Sequence, residues 1–345
     1  MTPLAVLGPT GYTGRLVCER ARELGLPLRL VGRRREALDQ LAREGDEVRV
    51  ADARDQAALT AAFEGSFAVA SLAGPFLDVG PAPVAAALAA GAHYLDTSGE
   101  QPFARLVYER FGDEAAQRGL VVLTSFGFDY VPGDLAARLA ADGLEPLDEV
   151  IVAYSVKDVA TSAGTRRTIG RVTAQQQVAY ERGGLVPSRF GATTRRVRFP
   201  FGEKDVVEWG GTEPLTVPRH TAVENVRSYV RAPKAAARTA GLARLAAPLL
   251  RLSAVRGGGP SDERRRKTRF TVVAEARGRA GARRAVLTGA DPYALTALLI
   301  VRGVETLRAG EARAAGALAP AEAFDARALA ERLAPLLEIA AIDEL

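Results

Sequence analysis

An apolar run from Leu4 to Leu7 meets three glycines, Gly8, Gly11 and Gly14, just before a helix-period pattern begins. No other feature restricts the fold of this chain as much. Apolar residues in an unbroken row fit a strand buried on both faces. Glycines in the turn that follows let the backbone approach a ligand closely, and the next helix N-terminus attracts an anion. The spacing is GxxGxxG rather than GxGxxG, so a second segment is needed to narrow the reading. Leu28 to Val31 reads as the next strand, and Gly32, Arg33, Arg34 and Arg35 follow it. A site for NAD would place an acid there for the ribose hydroxyls. Arginines suit a 2′-phosphate instead, which predicts an NADP(H) site. The competing reading is an ordinary Gly-rich turn followed by a solvated basic helix start.

Alternation continues along the chain. Strand-like runs at 5–7, 28–31, 47–50, 67–72, 93–95 and 120–124 are separated by helix-period segments at 13–24, 35–43, 55–63, 83–90 and 103–117. That pattern implies a parallel sheet with helices on both faces. After Pro132 and Gly133 a helix is expected from Asp134 to Ala141, and the character then changes. Longer, partly alternating runs at 149–156, 195–201, 226–231, 270–275 and 284–288 suggest a mixed or antiparallel sheet. The expected class is therefore α/β: an N-terminal Rossmann-like, doubly wound parallel sheet over residues 1–133, and a second α+β domain on a mixed sheet over 134–345. Helices are expected at 292–308 and 326–338, packing back towards the first domain.

With 345 residues, 48% apolar and 25% charged, the chain is of ordinary globular composition. No run of about eighteen uncharged apolar residues occurs, and no basic segment precedes an apolar core at the N-terminus. Cys18 is the sole cysteine, so no internal disulfide is expected; with His93 and His220 the only histidines, neither is a metal site. The expected location is cytoplasmic, with a peripheral membrane association left open. The net charge of +5 rests on arginine, lysine occurring only at Lys157, Lys204, Lys234 and Lys267. The basic runs 195–198 and 264–269 carry no interleaved aromatics to stack bases, so no nucleic-acid partner is expected. Residues 231–256 hold a leucine stripe, Leu242, Leu245, Leu249 and Leu252, with Lys234, Arg238, Arg244 and Arg251 around it. Such a helix packs on a core, lies on a membrane or meets an acidic carrier protein.

Several further segments are more specific. They are Ala73 to Phe76, Gly91 to Glu100 and Phe126 to Leu135; 259–264, 291–297 and 316–321 add to them. With 8–15 they resemble the saccharopine dehydrogenase-like family, in the short form that includes trans-acting enoyl reductases. The chain departs from that pattern where a glycine is missing between Pro292 and Tyr293, and where Ser162-Ala163-Gly164-Thr165 replaces Ser-Gly-Gly-Thr. The resemblance implies that Gly8, Thr10, Gly11, Tyr12, Thr13 and Gly14 cradle the pyrophosphate. It implies that Arg33 and Arg34 bind the 2′-phosphate and that Asp52 meets the adenine edge. Ala73, Gly74, Pro75 and Phe76 would run beside the nicotinamide ribose.

Hydride transfer from NADPH requires a proton for the neighbouring atom. No Tyr-x-x-x-Lys is present; Tyr154 and Lys157 are three apart. Tyr12, Asp129 and Tyr130 are the expected catalytic candidates, with Tyr94, Asp96 and Glu100 also near strand ends. Against them stand packing for Tyr12, a turn cap for Asp96 and a helix N-cap for Asp129 or Asp134. His93 is expected at a strand start facing the core, and His220 as structural. The function expected is NADPH-dependent reduction of a C=C bond in an enoyl thioester or lipid-like substrate. A saccharopine-type imine reductase stays open, with Arg166 and Arg167 as a carboxylate-binding pair; so does a non-catalytic, lipid-associated NADP-binding protein. The expected partners are a small-molecule or carrier-bound acyl substrate, with a homodimer left open.

Overall fold

The computed structural model describes residues 2–159, 161–162, 176–232 and 259–345. The chain divides into two compact units: Met1–Phe128 with Tyr293–Leu318 and Glu322–Phe324, and Asp129–Pro292 with Ala319–Ala321 and Asp325–Leu345. The expected leucine-striped helix lies outside the described residues from 233 to 256, as do Arg166 and Arg167.

The first unit is built on a parallel sheet. Its strands are β1 (Leu4–Leu7), β2 (Leu28–Gly32), β3 (Glu47–Val50), β4 (Ala68–Ser71), β5 (His93–Asp96) and β6 (Val121–Leu123), with the short β15 (Gly316–Ala317) at one edge. The spatial order is β15-β6-β5-β4-β1-β2-β3. The order reverses at β1, whose neighbours are β2 and β4. Ligands of open α/β sheets bind at such a switch point, outside the carboxyl ends of the strands. Every residue of β1 and β4 is buried, as the unbroken apolar runs require. On one face α3 (Gln56–Phe63), α5 (Pro81–Ala89) and α6 (Gln101–Gln117) pack Leu59, Phe63, Val84, Phe103 and Phe111 against Ala5, Val69, Tyr94 and Val122. On the other lie α1 (Tyr12–Glu23) and the helix Pro292–Arg308, here α10. Gly303 of α10 leaves just enough room for Phe126, whose ring atom would lie 2.8 Å from a Cβ there. That helix belongs to the first unit from Tyr293 onward, whereas the sequence assigned 292–308 to the second domain.

The second unit carries the mixed sheet. Along it run β10 (Thr194–Phe199), β11 (Gly202–Glu208), β12 (Val223–Arg231), β7 (Leu147–Lys157), β13 (Arg269–Gly278), β14 (Gly281–Ala290) and β16 (Leu337–Glu344). β12 and β7 are parallel, while β7, β13, β14 and β16 pair antiparallel. Ile151, Ala153, Phe199, Tyr229 and Val273 form a core on one face, and α7 (Val131–Ala141) covers β7, β13 and β14. The fold is thus α/β with a Rossmann-like parallel sheet and a second, mixed sheet, as the sequence implies.

One expected element is corrected. The helix read over 326–338 ends at Glu331; Asp325 caps its start by accepting from the Ala328 N–H. Pro335 has no N–H to continue a helix, and Leu337–Glu344 instead pairs with β14 as β16.

Candidate cofactor site and its surroundings

The residues expected at a cofactor follow four adjacent strands, β3-β2-β1-β4. Gly8 leaves β1 with φ +81, a left-handed conformation that favours glycine. A Cβ on Gly8 would stand 3.3 Å from the Cβ of Ala73, so the turn after β1 and the loop after β4 approach closely. Gly14 is demanded by the chain itself, because a Cβ there would run into the Gly8 carbonyl and come within 2.8 Å of Pro9 Cα. Gly11 differs. It is exposed at the N-cap of α1, with φ −68 and ψ 166, and a Cβ would meet only the Gly8 carbonyl at 3.4 Å. The helix has no side-chain cap and no acid in its first turn. A bare helix start beside a glycine with room above it fits a pyrophosphate. Thr10 and Thr13 are half-buried in the same turn.

Arg33 and Arg34 follow β2. Arg33 is exposed, and its Nη1 lies 4.0 Å from Asp52 Oδ2, the outer limit of an ion pair. Such an exposed contact is weak and leaves the guanidinium free to turn to a phosphate. Arg34 is exposed at the N-cap of α2 (Arg35–Asp39). Arg35 is committed elsewhere, its Nε donating to both carboxylate oxygens of Asp39 at 2.9 Å. Asp52 also accepts from the Arg54 N–H at 2.9 Å, which orders the turn after β3. Beyond β4, Ala73, Gly74 and Pro75 lead to α4 (Phe76–Val79), and Phe76 is buried.

The catalytic candidates separate. Tyr12 is half-buried at the start of α1, its ring 4.9 Å from that of Tyr293 in an edge-to-face pair. Tyr293 opens α10, and sequence spacing carries no signal for that contact. Asp129 and Tyr130 belong to the second unit. Asp129 keeps solvent contact, yet protein crowds around it and desolvation raises its pKa to about 6. Tyr130 is buried and stacks on Trp209 at 5.9 Å; its hydroxyl donates to the Gly210 carbonyl at 3.5 Å.

Several alternative roles resolve. Tyr130, not Asp129 or Asp134, is the N-cap of α7, and it makes no side-chain cap bond. Asp134 points inward instead, 3.0 Å from His220 Nε2, and takes the Ala321 N–H at 2.8 Å. Burial alone would raise its pKa, but the facing His220 and these hydrogen bonds hold it below the usual value. His93 is half-buried at the start of β5, and its Nδ1 accepts from the Val121 N–H at 3.0 Å; burial pushes its pKa down. Asp96 caps turns, its Oδ1 accepting from the N–H groups of Ser98 and Ser125 at 2.8 Å each. Burial raises its pKa to about 6.

An acid that sequence reasoning missed is Glu213, fully buried in the second unit. Its carboxylate accepts from Tyr154 Oη at 2.8 Å and from Ser228 Oγ at 2.5 Å. Burial pushes Glu213 up to about 7 and Tyr154 well above its ordinary value. Gly133 and Gly211 make room for the cluster, since a Cβ at either would collide with the Glu213 carboxylate. Among the described residues no group of three metal-ligating side chains is found, and no helix is long and apolar enough to cross a membrane.

Residues 8–146 match an NAD(P)H-binding family model, which covers the glycine turn, both arginines and the loop after β4. A saccharopine dehydrogenase-like oxidoreductase of Homo sapiens is 29% identical over 152 residues, 38% of this chain and 35% of that protein. A trans-acting enoyl reductase of Mycobacterium ulcerans is 29% identical over 212 residues, 57% of this chain and 50% of that protein. Apo saccharopine dehydrogenase (L-Glu forming) from Saccharomyces cerevisiae shares the fold across all of both chains, with a TM-score of 0.65 at 13% identity. The chain is thus similar to saccharopine dehydrogenase-like oxidoreductases and trans-acting enoyl reductases over part of its length. It spans about a third of the length of the saccharopine dehydrogenase-like relatives it matches, 35%. Its cofactor is of the NAD(P)H class.

Proposed function

We propose that the protein is an NADPH-dependent oxidoreductase reducing the C=C bond of an enoyl thioester or a related lipid-like substrate. The observation that carries the substrate class is the extent of the match to the trans-acting enoyl reductase. At 57% of the chain it cannot be contained in the nucleotide-binding stretch 8–146. The preference for NADPH is supported by Arg33 and Arg34, which stand where an NAD site would carry an acid.

NADPH, when bound, supplies the hydride. In this reading the Gly8–Gly14 turn and the start of α1 receive the pyrophosphate. Arg33 and Arg34 hold the 2′-phosphate, Asp52 meets the adenine edge, and Ala73–Phe76 border the nicotinamide ribose. Tyr12, paired with Tyr293, packs at the cofactor. Asp129 is proposed as the proton donor: it follows the carboxyl end of β6 and is open to solvent, from which it can be reprotonated. Tyr130, turned to the Gly210 carbonyl, supports the aromatic cluster.

The test is NADPH consumption on addition of trans-enoyl thioesters of graded chain length. Turnover is expected, and Asp129→Asn should lower kcat with little change in KM for NADPH. Turnover of an amino-acid imine with none of any enoyl thioester would overturn the substrate class while leaving the cofactor reading intact.

A further inference from the structure

Glu100 is a buried carboxylate, 1% exposed, at the N-cap of α6. Burying such a group is costly unless its oxygens are satisfied. Here the partners are backbone amides: the Phe76 N–H donates to Oε1 at 2.8 Å and the Leu77 N–H to Oε2 at 3.3 Å. Both amides stand immediately after Ala73–Pro75. The four-residue α4 is too short to fix that loop by its own hydrogen bonds, so the hold comes from outside.

Glu100 is itself held. Its N–H donates to Ser98 Oγ at 3.1 Å, and the Ser98 N–H donates to Asp96 Oδ1 at 2.8 Å. The same Asp96 oxygen receives the Ser125 N–H. Hydrogen bonds therefore run without a gap from the ends of β5 and β6 to the loop after β4. Packing follows the same path, with the rings of Phe76 and Phe103 5.7 Å apart and Gly80 leaving space for Phe103.

We propose that Glu100 is a positioning residue for the nicotinamide end of the cofactor, gripping the loop Ala73–Phe76 through the Phe76 and Leu77 amides, with Ser98 and Asp96 aligning the grip. The inference rests on the proposed placement of the nicotinamide ribose beside that loop. Its specific consequence is a split between the two halves of the cofactor. The adenosine half, held at Arg33 and Arg34, does not depend on Glu100; the nicotinamide half does.

Affinities of wild type and Glu100→Gln for NADPH and for 2′,5′-ADP, which lacks the nicotinamide half, test this. In the variant the amide aims a donor at one of the two N–H groups. NADPH binding should weaken about tenfold, the scale of a buried charge-assisted hydrogen bond, while 2′,5′-ADP stays within about twofold. Ser98→Ala is a milder second variant, with the same split at about threefold, and decides the matter if Glu100→Gln does not fold. Equal loss for both ligands, or no loss for either, in a folded variant would overturn the role of Glu100. Failure of wild type to bind 2′,5′-ADP would instead overturn the cofactor reading, and the positioning role with it.

Discussion

At the carboxyl edge of the parallel sheet the charged groups stand open: Arg33 and Arg34 are exposed, and Gly11 leaves the start of α1 bare. In the mixed-sheet unit the acids are closed off, Glu213 by Tyr154 and Ser228, Asp134 by His220 and the Ala321 amide. The first arrangement has donors waiting for an anion. The second has already spent its polar capacity on itself. In the proposed reading, a self-satisfied buried acid is therefore a poorer guide to a ligand site than an exposed, loosely paired cation close to a glycine turn.

The sharpest break between scaffold and site lies within the glycine turn. Gly14→Val should unfold the first unit or destabilise it by more than about 3 kcal/mol, because the new side chain meets backbone that cannot move aside. Urea unfolding checks this. Gly11→Val should leave folding nearly intact, at the cost of a slightly poorer helix cap, and abolish NADPH fluorescence enhancement. Wild-type affinity in Gly11→Val would place the phosphate elsewhere.

The closed cluster should reveal itself through pH. Glu213 has its pKa raised from 4.5 to about 7 by burial. Across that interval the folded state binds more protons than the unfolded one. Its contribution to stability is therefore best below the unfolded value and declines as pH rises towards 7, then levels off. Asp96 acts in the same direction between 3.8 and about 6. Glu213→Gln should flatten this decline, gaining up to about 3 kcal/mol over wild type between pH 5 and pH 8. Identical slopes for the two proteins would show that the carboxylate pays no burial penalty.

The same contrast explains what the sequence could reveal. The cofactor turn is local: a strand, three glycines and two arginines within about thirty residues, each constrained by backbone geometry. Strand–helix alternation made the parallel sheet legible for the same reason. Glu213 meets Tyr154 across 59 positions and Asp134 meets His220 across 86; no periodicity links them. Glu100 stood out only as an acid near a strand end; its two amide partners lie 23 and 24 residues earlier, and no spacing rule announces them. The helix expected over 326–338 ran past Pro335 into Leu337 and Glu338, which open the strand paired with β14; the apolar pattern alone did not mark that boundary.

The central claim is that the open edge of the parallel sheet takes NADPH by its 2′-phosphate. Calorimetric titration of wild type and Arg33→Ala with NADPH and NADH tests it most directly. Wild type should prefer NADPH, and Arg33→Ala should lose about ten- to a hundredfold in NADPH affinity with little change for NADH. Equal wild-type affinities for the two cofactors, or an Arg33→Ala loss shared by both, would contradict it.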